Sequence, residues 1–396
     1  MEIWIEKKDC SYCGACGSVC PQACINYLQD VDGFFYPEID NKKCNNCGQC
    51  ERVCSSLHPY ARQAPLEAYA CKHKQPEIRG ASSSGGAFYA LASYVIEKGG
   101  VVFGAAMDGQ NRCVHAMAAD KEGLRPLMGS KYVQSYLGNI FLEVRKHLDK
   151  NIVVLFTGTP CQVSGLKHFL RREYENLYCA DIICHGVASP GVLDAYKQSV
   201  EKRYGIDVKE IRFRHKNKHW NLVDSMIIRD SRDRVIQTRG DKYLSGFMGS
   251  YFLRPSCGAC KANGYRSGAD LTIGDYWGGM LKLKEFDDSC GVSALIIRSA
   301  KGRELFEKAS SNLDYMPTKI SYIMEFNHNL EESTKHNPGR DAFFKDYRNN
   351  KDFDRLAAKH IKPHLAGVAK KFLGVKTVFW LAHIYKGRGG SGETGN

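Results

Sequence analysis

No run of eighteen apolar residues occurs anywhere in the 396-residue chain, so a membrane-spanning helix is not expected. The first nine residues, MEIWIEKKD, lack the basic-then-apolar order and cleavage site of a secretory leader, and a cytoplasmic location is expected. Without export, the 17 cysteines have little reason to form disulfides. Closely spaced cysteines in a long chain without a leader point instead to metal ligation in a reducing compartment. Composition is otherwise ordinary: 43% hydrophobic and 25% charged residues suit a globular protein with a substantial core and two or three domains.

Residues 10–20 read CSYCGACGSVC, followed by Pro21, and residues 44–54 read CNNCGQCERVC. Both are C-x2-C-x2-C-x3-C runs. Three close thiolates can wrap three irons of one cubane, and the fourth ligand must come from elsewhere; in two-cluster ferredoxins the last cysteine of each run crosses over. The spacing therefore predicts one 4Fe–4S cluster on Cys10, Cys13, Cys16 and Cys54, and a second on Cys44, Cys47, Cys50 and Cys20. Gly14, Gly17 and Gly48 suit backbone passing close to inorganic sulfide. Residues 1–60 resemble a bacterial two-cluster ferredoxin, with Ser55 in place of the proline usual after the second run. Asp32-Gly33, between apolar and aromatic residues, predicts a hairpin. Zinc held by CxxC pairs is the competing explanation for the runs. Cys24 stands outside them and reads as a small buried hydrophobe.

Negative charge is scarce: 56 Lys and Arg face 43 Asp and Glu, for a formal charge of +13. A basic chain ordinarily suggests nucleic acid. That count treats every cysteine as neutral, whereas cluster ligands bind as thiolates and leave each oxidised cubane at about −2. No nucleic-acid partner is expected. The remaining excess suits an acidic redox partner, an anionic substrate or a membrane surface.

Residues 55–66 read as a linker. Beyond it, strands at 68–72, 101–105, 152–156 and 180–184 alternate with helices at 84–98, 139–148, 164–171 and 191–203. Over 209–238 the segments IRFRH, LVDSMII and RVIQT predict an antiparallel meander, and 270–276 and 292–297 add two strands. The expected fold class is α/β, α+β overall. A small two-cluster domain (1–60) precedes a mixed-sheet α/β domain with antiparallel strands (68–300) and a helical C-terminal extension with a flexible tail (301–396).

Four constellations carry chemistry. Ser82, Ser83, Ser84, Gly85 and Gly86 stand directly before a helix, where free N–H groups and the dipole favour an anion such as a phosphate; a capped loop is the plainer reading. Phe156-Thr157-Gly158-Thr159-Pro160-Cys161-Gln162 follows a buried strand, where α/β sheets bind ligands. Asp181 to Gly186, with Cys184 and His185, ends another strand; His185 is either a structural histidine or a group beside a cofactor. Cys257-Gly-Ala-Cys260 precedes Gly274-Asp275-Tyr276-Trp277-Gly278, and one CxxC serves zinc, redox pairing or iron–sulfur ligation alike.

SSSGGAF, GGVVFGA, GSKYVQS, FTGTPCQVSGL, CHGVASP, CGAC and IGDYWGG, in that order over about residues 68–298, resemble the beta-subunit family of coenzyme F420 hydrogenase/dehydrogenase. The resemblance implies FAD and at least one 4Fe–4S cluster in the body, held also by members without the ferredoxin module. It thus implies a third cluster on Cys161, Cys184, Cys257 and Cys260, with zinc, a thiol pair or no metal as the alternative. Cys71, Cys113, Cys179 and Cys290 lie outside the motifs and read as packing. The resemblance further implies that Ser82–Gly86 cradle the FAD phosphates and that Lys131 and the loop Thr157, Gly158, Thr159, Pro160 and Gln162 run along the flavin. Lys131, His185 and Asp275 are then the candidate catalytic residues: Lys131 against negative charge on reduced flavin, the others as polar or proton-donating groups.

The implied activity is a ferredoxin-linked flavin oxidoreductase acting on an organic substrate or deazaflavin-like coenzyme. Relatives act on the deazaflavin, on chlorophyll precursors, or on unassigned substrates in glycan biosynthesis; an anionic glycan-type substrate comes from that association alone. The rival is a non-catalytic electron-transfer subunit of a larger complex. Reduced ferredoxin or a similar donor is the expected electron partner, and a homo-oligomer is compatible. Residues 330–362 read as helical and peripheral. Residues 364–385, with Phe379 and Trp380, read as an amphipathic helix, either docked on the protein's own core or lying on the inner face of a membrane.

Overall fold

In the computed structural model, residues 5–216, 220, 223, 225–362 and 377 are described. Apart from Thr377, the amphipathic segment 364–385 lies outside the described residues, as does the rest of the tail.

The N-terminal module is small and built on glycine turns. Strands β1 (Ile25–Gln29) and β2 (Phe35–Ile39) pair antiparallel with Ile25 opposite Ile39. The Asp30 carboxylate accepts from the Asp32 and Phe34 N–H groups, both at 3.0 Å, and Gly33 takes φ +82°, so the Asp-Gly step makes the expected turn. Each cysteine run continues into a one-turn helix, Ala15–Val19 and Gln49–Arg52, started by a left-handed glycine, Gly14 or Gly48.

The body is one eight-stranded mixed sheet. Its strands are β3 (Glu67–His73), β4 (Val101–Met107), β5 (Cys113–Ala118), β6 (Val154–Gly158), β7 (Leu177–Ile182), β11 (Leu271–Asp275), β12 (Ser293–Ile297) and β13 (Leu313–Pro317). Their order is β13-β3-β12-β11-β7-β6-β4-β5. The central run β4-β6-β7-β11 is parallel, while β5, β12, β3 and β13 add antiparallel pairings on either side. The central strands are the apolar segments VVFGA, VVLF and CADI, buried on both faces as parallel strands are. Helices Ala87–Glu97 and Ala300–Ala309 cover one face; Ile140–Asp149 and Pro160–Leu170 pack into a second core cluster with Val101, Phe103, Val154 and Phe156. The expected meander is a separate three-stranded antiparallel sheet, β8 (Val208–Arg212), β9 (Ile227–Asp230) and β10 (Val235–Gln237).

Three expectations change. Strands β5 and β13 were not foreseen: CVHAMA and LDYMP are short outermost strands with weak alternation. Residues 313–317 therefore extend the sheet past residue 300. The helix after β6 begins at Pro160 rather than 164, because Thr159 and Gln162 form a capping box. Residues 330–362 do not lie at the periphery. Helices Arg340–Asn349 and Phe353–His360 bury Phe343, Phe344, Tyr347, Phe353 and Leu356 in the largest core cluster, which also holds Phe34 and Tyr36 of the N-terminal module.

That module docks through close contacts along the chain. Ser189 Oγ donates to the Asp32 carbonyl at 2.6 Å, and Arg348 pairs with the Asp32 carboxylate at 2.7 Å. Gly165 meets Cys13 so closely that a Cβ there would lie 2.6 Å from the Cys13 carbonyl oxygen and 3.0 Å from its sulfur. The fully buried Arg254 donates from Nε to the Cys10 carbonyl at 2.7 Å and from Nη1 to that of Phe35 at 3.0 Å.

Candidate functional site

The carboxyl ends of β4, β6, β7 and β11 open into one cavity of about 470 Å³, within the ordinary range for small-molecule sites. Five of the motif loops meet there. Ser82, Ser83, Ser84 and Gly86 line it, with Lys131, Thr157, Gly158, Thr159, Gln162, Cys184, His185 and Asp275. Gly85 and Pro160 do not. A Cβ on Gly85 would lie 2.1 Å from the Cys71 carbonyl oxygen and 2.5 Å from Ser293 N, so this glycine lets the loop cross β3 and β12 rather than face a ligand. Pro160 is buried at the first turn of its helix.

Hydrogen bonds fasten the loops together. Ser83 Oγ accepts from Ser130 N at 2.7 Å, joining the serine loop to the Gly129-Ser130-Lys131 turn. Ser84 Oγ donates to the Val292 carbonyl at 2.7 Å, and Lys216 Nζ donates to the Ser84 carbonyl from behind. The helix from Ala87 thus begins at the cavity wall, which Ala87 and Phe88 line, and the N-terminal end of a helix favours an anion. Lys131 Nζ donates to the Pro126 and Met128 carbonyls at 2.8 and 2.7 Å. An ammonium has three protons, which leaves one for a ligand. Burial lowers the Lys131 pKa to about 8. The cation is therefore present below pH 8 and lost as pH rises through it. Anion binding at the cavity, titrated with flavin or pyrophosphate, is expected to weaken above pH 8. Lys131→Met should cost about tenfold in affinity below pH 8, the scale of one charge-assisted hydrogen bond, and abolish the inflection.

His115 was not foreseen, and it organises the floor. Its Nε2 donates to the Thr157 carbonyl (3.2 Å), so Nδ1 is left to accept from Ser135 Oγ (3.0 Å). Ser135 Oγ in turn accepts from Gln162 Nε2 at 2.8 Å, and Gln162 Oε1 accepts from Thr159 N at 2.9 Å. Burial lowers the His115 pKa to about 4. The unfolded chain binds this proton near 6.5 and the folded chain only near 4, so stability is complete above pH 6.5 and falls as pH drops through that window, by roughly 3 kcal/mol in all. His115→Gln is expected to flatten the loss, measured as the urea midpoint of metal-stripped protein between pH 7 and 5.

The other wall is aromatic and cationic. Arg214, 1% exposed, pairs with Asp275 at 2.6 Å and lies beside Trp277, whose ring stacks on Trp220 at 5.6 Å and 7°. Asp275 therefore meets the cavity as half of an ion pair rather than as a lone acid. Tyr132 stacks on Phe247 at 4.6 Å. Trp277, Tyr132 and Phe247, with Phe88 and Phe326, line the cavity and give a planar heterocycle apolar faces to lie against, while Trp220 backs Trp277 from behind. His185 Nε2 donates to the Phe247 carbonyl at 3.1 Å, and its Nδ1 lies 3.2 Å from Asn329 Nδ2.

The cysteines gather as the spacing predicts. One hollow is lined by Cys10, Cys13, Cys16 and Cys54, and another by Cys20, Cys44, Cys47 and Cys50. Cys24 also lines the second, 3.3 Å from Cys20 Sγ, so it belongs to the site's wall. Among the described residues no three His, Cys, Asp or Glu side chains are placed around a single ion; thiols around a hollow suit a cubane, which offers each ligand its own iron. In the body, Cys161 stands in the first turn of its helix, Cys184 follows β7, Cys257 lies within the 3-10 turn Pro255–Ala259, and Cys260 caps its end. Burial pushes the Cys161 thiol well above its ordinary range, and Cys260, Cys184 and Cys257 are near enough to push it the same way. The four are neighbours.

Residues 153–320 match the family described as the C terminus of the coenzyme F420 hydrogenase/dehydrogenase beta subunit, and residues 9–56 match the 4Fe-4S dicluster domain. The chain joins a 4Fe-4S dicluster domain to the C-terminal domain of a coenzyme F420 hydrogenase/dehydrogenase beta subunit. It is thus an iron–sulfur electron-transfer protein of an oxidoreductase family. It is also similar to a solved chain from the F420-reducing NiFe hydrogenase complex of Methanosarcina barkeri, at 18% identity and TM-score 0.45, over 79% of this chain and 95% of that one. No curated protein matches it. The dicluster domain contributes both N-terminal hollows. The larger domain contributes Cys161, Cys184, Cys257, Cys260 and the β6, β7 and β11 sides of the cavity. Among the described residues no helix is long and apolar enough to cross a membrane.

Proposed function

We propose that this chain is a flavin-dependent iron–sulfur oxidoreductase, with three 4Fe–4S clusters on the three cysteine sets and FAD in the cavity. The observation that carries this reading is the convergence of the serine loop, Lys131, the Thr157–Gln162 segment, Cys184 and an aromatic wall on one cavity. A mere conduit for electrons has no need of such a cavity. When bound, FAD supplies the exchange between one-electron and two-electron chemistry. Ser82, Ser83, Ser84, Gly86 and the helix they precede hold its phosphates; Lys131 meets negative charge; His185 and the Arg214–Asp275 pair present polar hydrogens and oxygens to the reacting partner.

The thiol sets are ordered from surface to cavity. Cys47 is exposed, and Arg52 donates to its carbonyl at 2.8 Å. The same two runs carry the first set, whose Cys13 rests on Gly165, one helical turn from Cys161; Cys184, in that last set, reaches the cavity. An acidic one-electron carrier such as reduced ferredoxin is the expected donor at the exposed end, near Lys42, Lys43 and Arg52. The substrate class is an organic molecule or deazaflavin-like coenzyme with anionic groups; a glycan-type substrate rests on the family resemblance. The test is iron, sulfide, zinc and flavin content of protein purified without oxygen. About twelve irons, four per cubane, with one FAD are expected. About eight with flavin would remove the body cysteines as ligands, and zinc without flavin would sink the reading.

A further inference from the structure

Arg254 is the most deeply buried charge in the interface between the two domains. Its relative exposure is 0%. Its backbone belongs to the cysteine-bearing turn of the body: Arg254 N donates to the Val187 carbonyl, and the Arg254 carbonyl accepts from Cys257 N at 3.0 Å. Its side chain points the other way, into the dicluster domain. Beyond the Cys10 and Phe35 carbonyls, Nη1 lies 3.4 Å from Gln134 Oε1, and the guanidinium lies 4.2 Å from the Tyr36 ring centroid. Nη2 is buried without any hydrogen-bond partner, and the acceptors that the other nitrogens meet are the neutral oxygens of Cys10, Phe35 and Gln134.

A buried guanidinium cannot shed its charge by losing a proton. Leaving it in the interior with neutral acceptors alone is strongly unfavourable, and carbonyl dipoles and the ring faces of Tyr36, Phe34 and Tyr12 recover only part of that. The fold has kept a cation where only anions would justify it. The anions at hand are thiolates: Cys10, whose own carbonyl takes Nε, and Cys257, three residues along the same turn.

We propose that Arg254 is the shared counter-charge of the Cys10–Cys13–Cys16–Cys54 cluster and the Cys161–Cys184–Cys257–Cys260 cluster. It is a positioning residue that makes both easier to reduce and ties the docking of the two domains to their loading with iron. The inference rests on the cluster reading above. Reduction adds one negative charge to a cluster, and a fixed cation in a low-dielectric interior favours that state.

The experiment is a redox titration, followed by electron paramagnetic resonance, of the full iron-loaded chain carrying Arg254→Gln or Arg254→Lys. In Arg254→Gln two of the three cluster signals should become harder to reduce by tenfold or more in the equilibrium constant, a shift of about 59 mV or more to lower potential, while the third stays in place. In Arg254→Lys, which keeps the charge, the same two signals should stay within about threefold of the native ones, or some 30 mV on that scale. Unchanged potentials in an iron-replete Arg254→Gln overturn the proposal, because an arginine that served only to pack the interface would leave them there. If Arg254→Gln loses its iron, Arg254→Lys decides: retention with near-native potentials supports the charge, and loss of iron there too means that the shape of the fork matters and the charge does not. Native protein lacking iron on either set would instead defeat the cluster reading itself, which iron analysis shows before any titration begins.

Discussion

Replacing Cys161 by alanine is expected to lower iron from about twelve to about eight per chain, one cubane's worth. The dicluster signals should remain, and donor-driven reduction at the cavity should slow by at least a hundredfold. The size of the effect follows from placement. The capping box between Thr159 and Gln162 fixes the first turn of the helix, so Cys161 is held rather than free to be replaced by a neighbouring side chain. Cys260, Cys184 and Cys257 are its closest thiol neighbours, and three thiols with one open corner hold a cubane poorly. The dicluster hollows share no residue with this set, so their eight irons report that the chain is folded. Iron and sulfide analysis with resonance spectra reads both outcomes at once. Unchanged iron in Cys161→Ala would end the assignment of a body cluster.

Gly165→Val is expected to have the second large effect, and Gly165→Ala a smaller one of the same sign. On helix propensity alone, glycine to alanine should stabilise by about 1 kcal/mol. The contact with Cys13 reverses that expectation. A Cβ would lie 2.6 Å from a backbone oxygen and 2.7 Å from a Cβ, neither the end of a flexible side chain. Either the helix or the Cys10–Cys16 run must move, at a cost of about 1–3 kcal/mol for overpacking. The first dicluster hollow should lose iron, and electron passage from the exposed end to the cavity should fall by at least tenfold, while flavin binding at the cavity persists. A Gly165→Ala chain that gains thermal stability and keeps its full iron would show that the interface is looser than it is drawn.

How far the sequence can be read depends on how local each signal is. The crossed cysteine sets need only the spacing within two short runs, and the hollows hold those same sets. The Thr157, Cys184 and Asp275 loops that meet at the cavity are legible as motifs because each follows a strand. The capping box is present in the letters Thr159 and Gln162, yet a loop reading of the motif conceals it. What stays hidden lies far apart in the chain. Arg214 meets Asp275 across 61 positions and Arg254 meets Cys10 across 244; nothing in IRFRH or LRPSC marks either arginine as buried. His115 sits in an edge strand whose alternation is too short to announce itself. Phe343, Phe344 and Tyr347 read as part of a charged peripheral helix because Arg, Asp and Lys surround them, although their spacing makes one buried stripe. Cys24 shows the limit of motif reading, since a residue outside a pattern can still stand in the wall that the pattern builds.

The pairing of Arg348 with Asp32, and of the Phe344 ring with Phe34 at 5.9 Å, joins the thirties of the chain to the three hundred and forties. During synthesis the dicluster domain leaves the ribosome long before the helix that clasps it exists. At about 5–20 residues per second, the intervening three hundred residues take tens of seconds. Through that interval Phe34 and Tyr36 lack their final cover. A shorter interval, until Gly165 is made, leaves the Cys10–Cys13–Cys16–Cys54 hollow open on that side. The first hollow is thus most open to iron while the chain is still being made, whereas the second keeps Cys47 exposed in the finished protein.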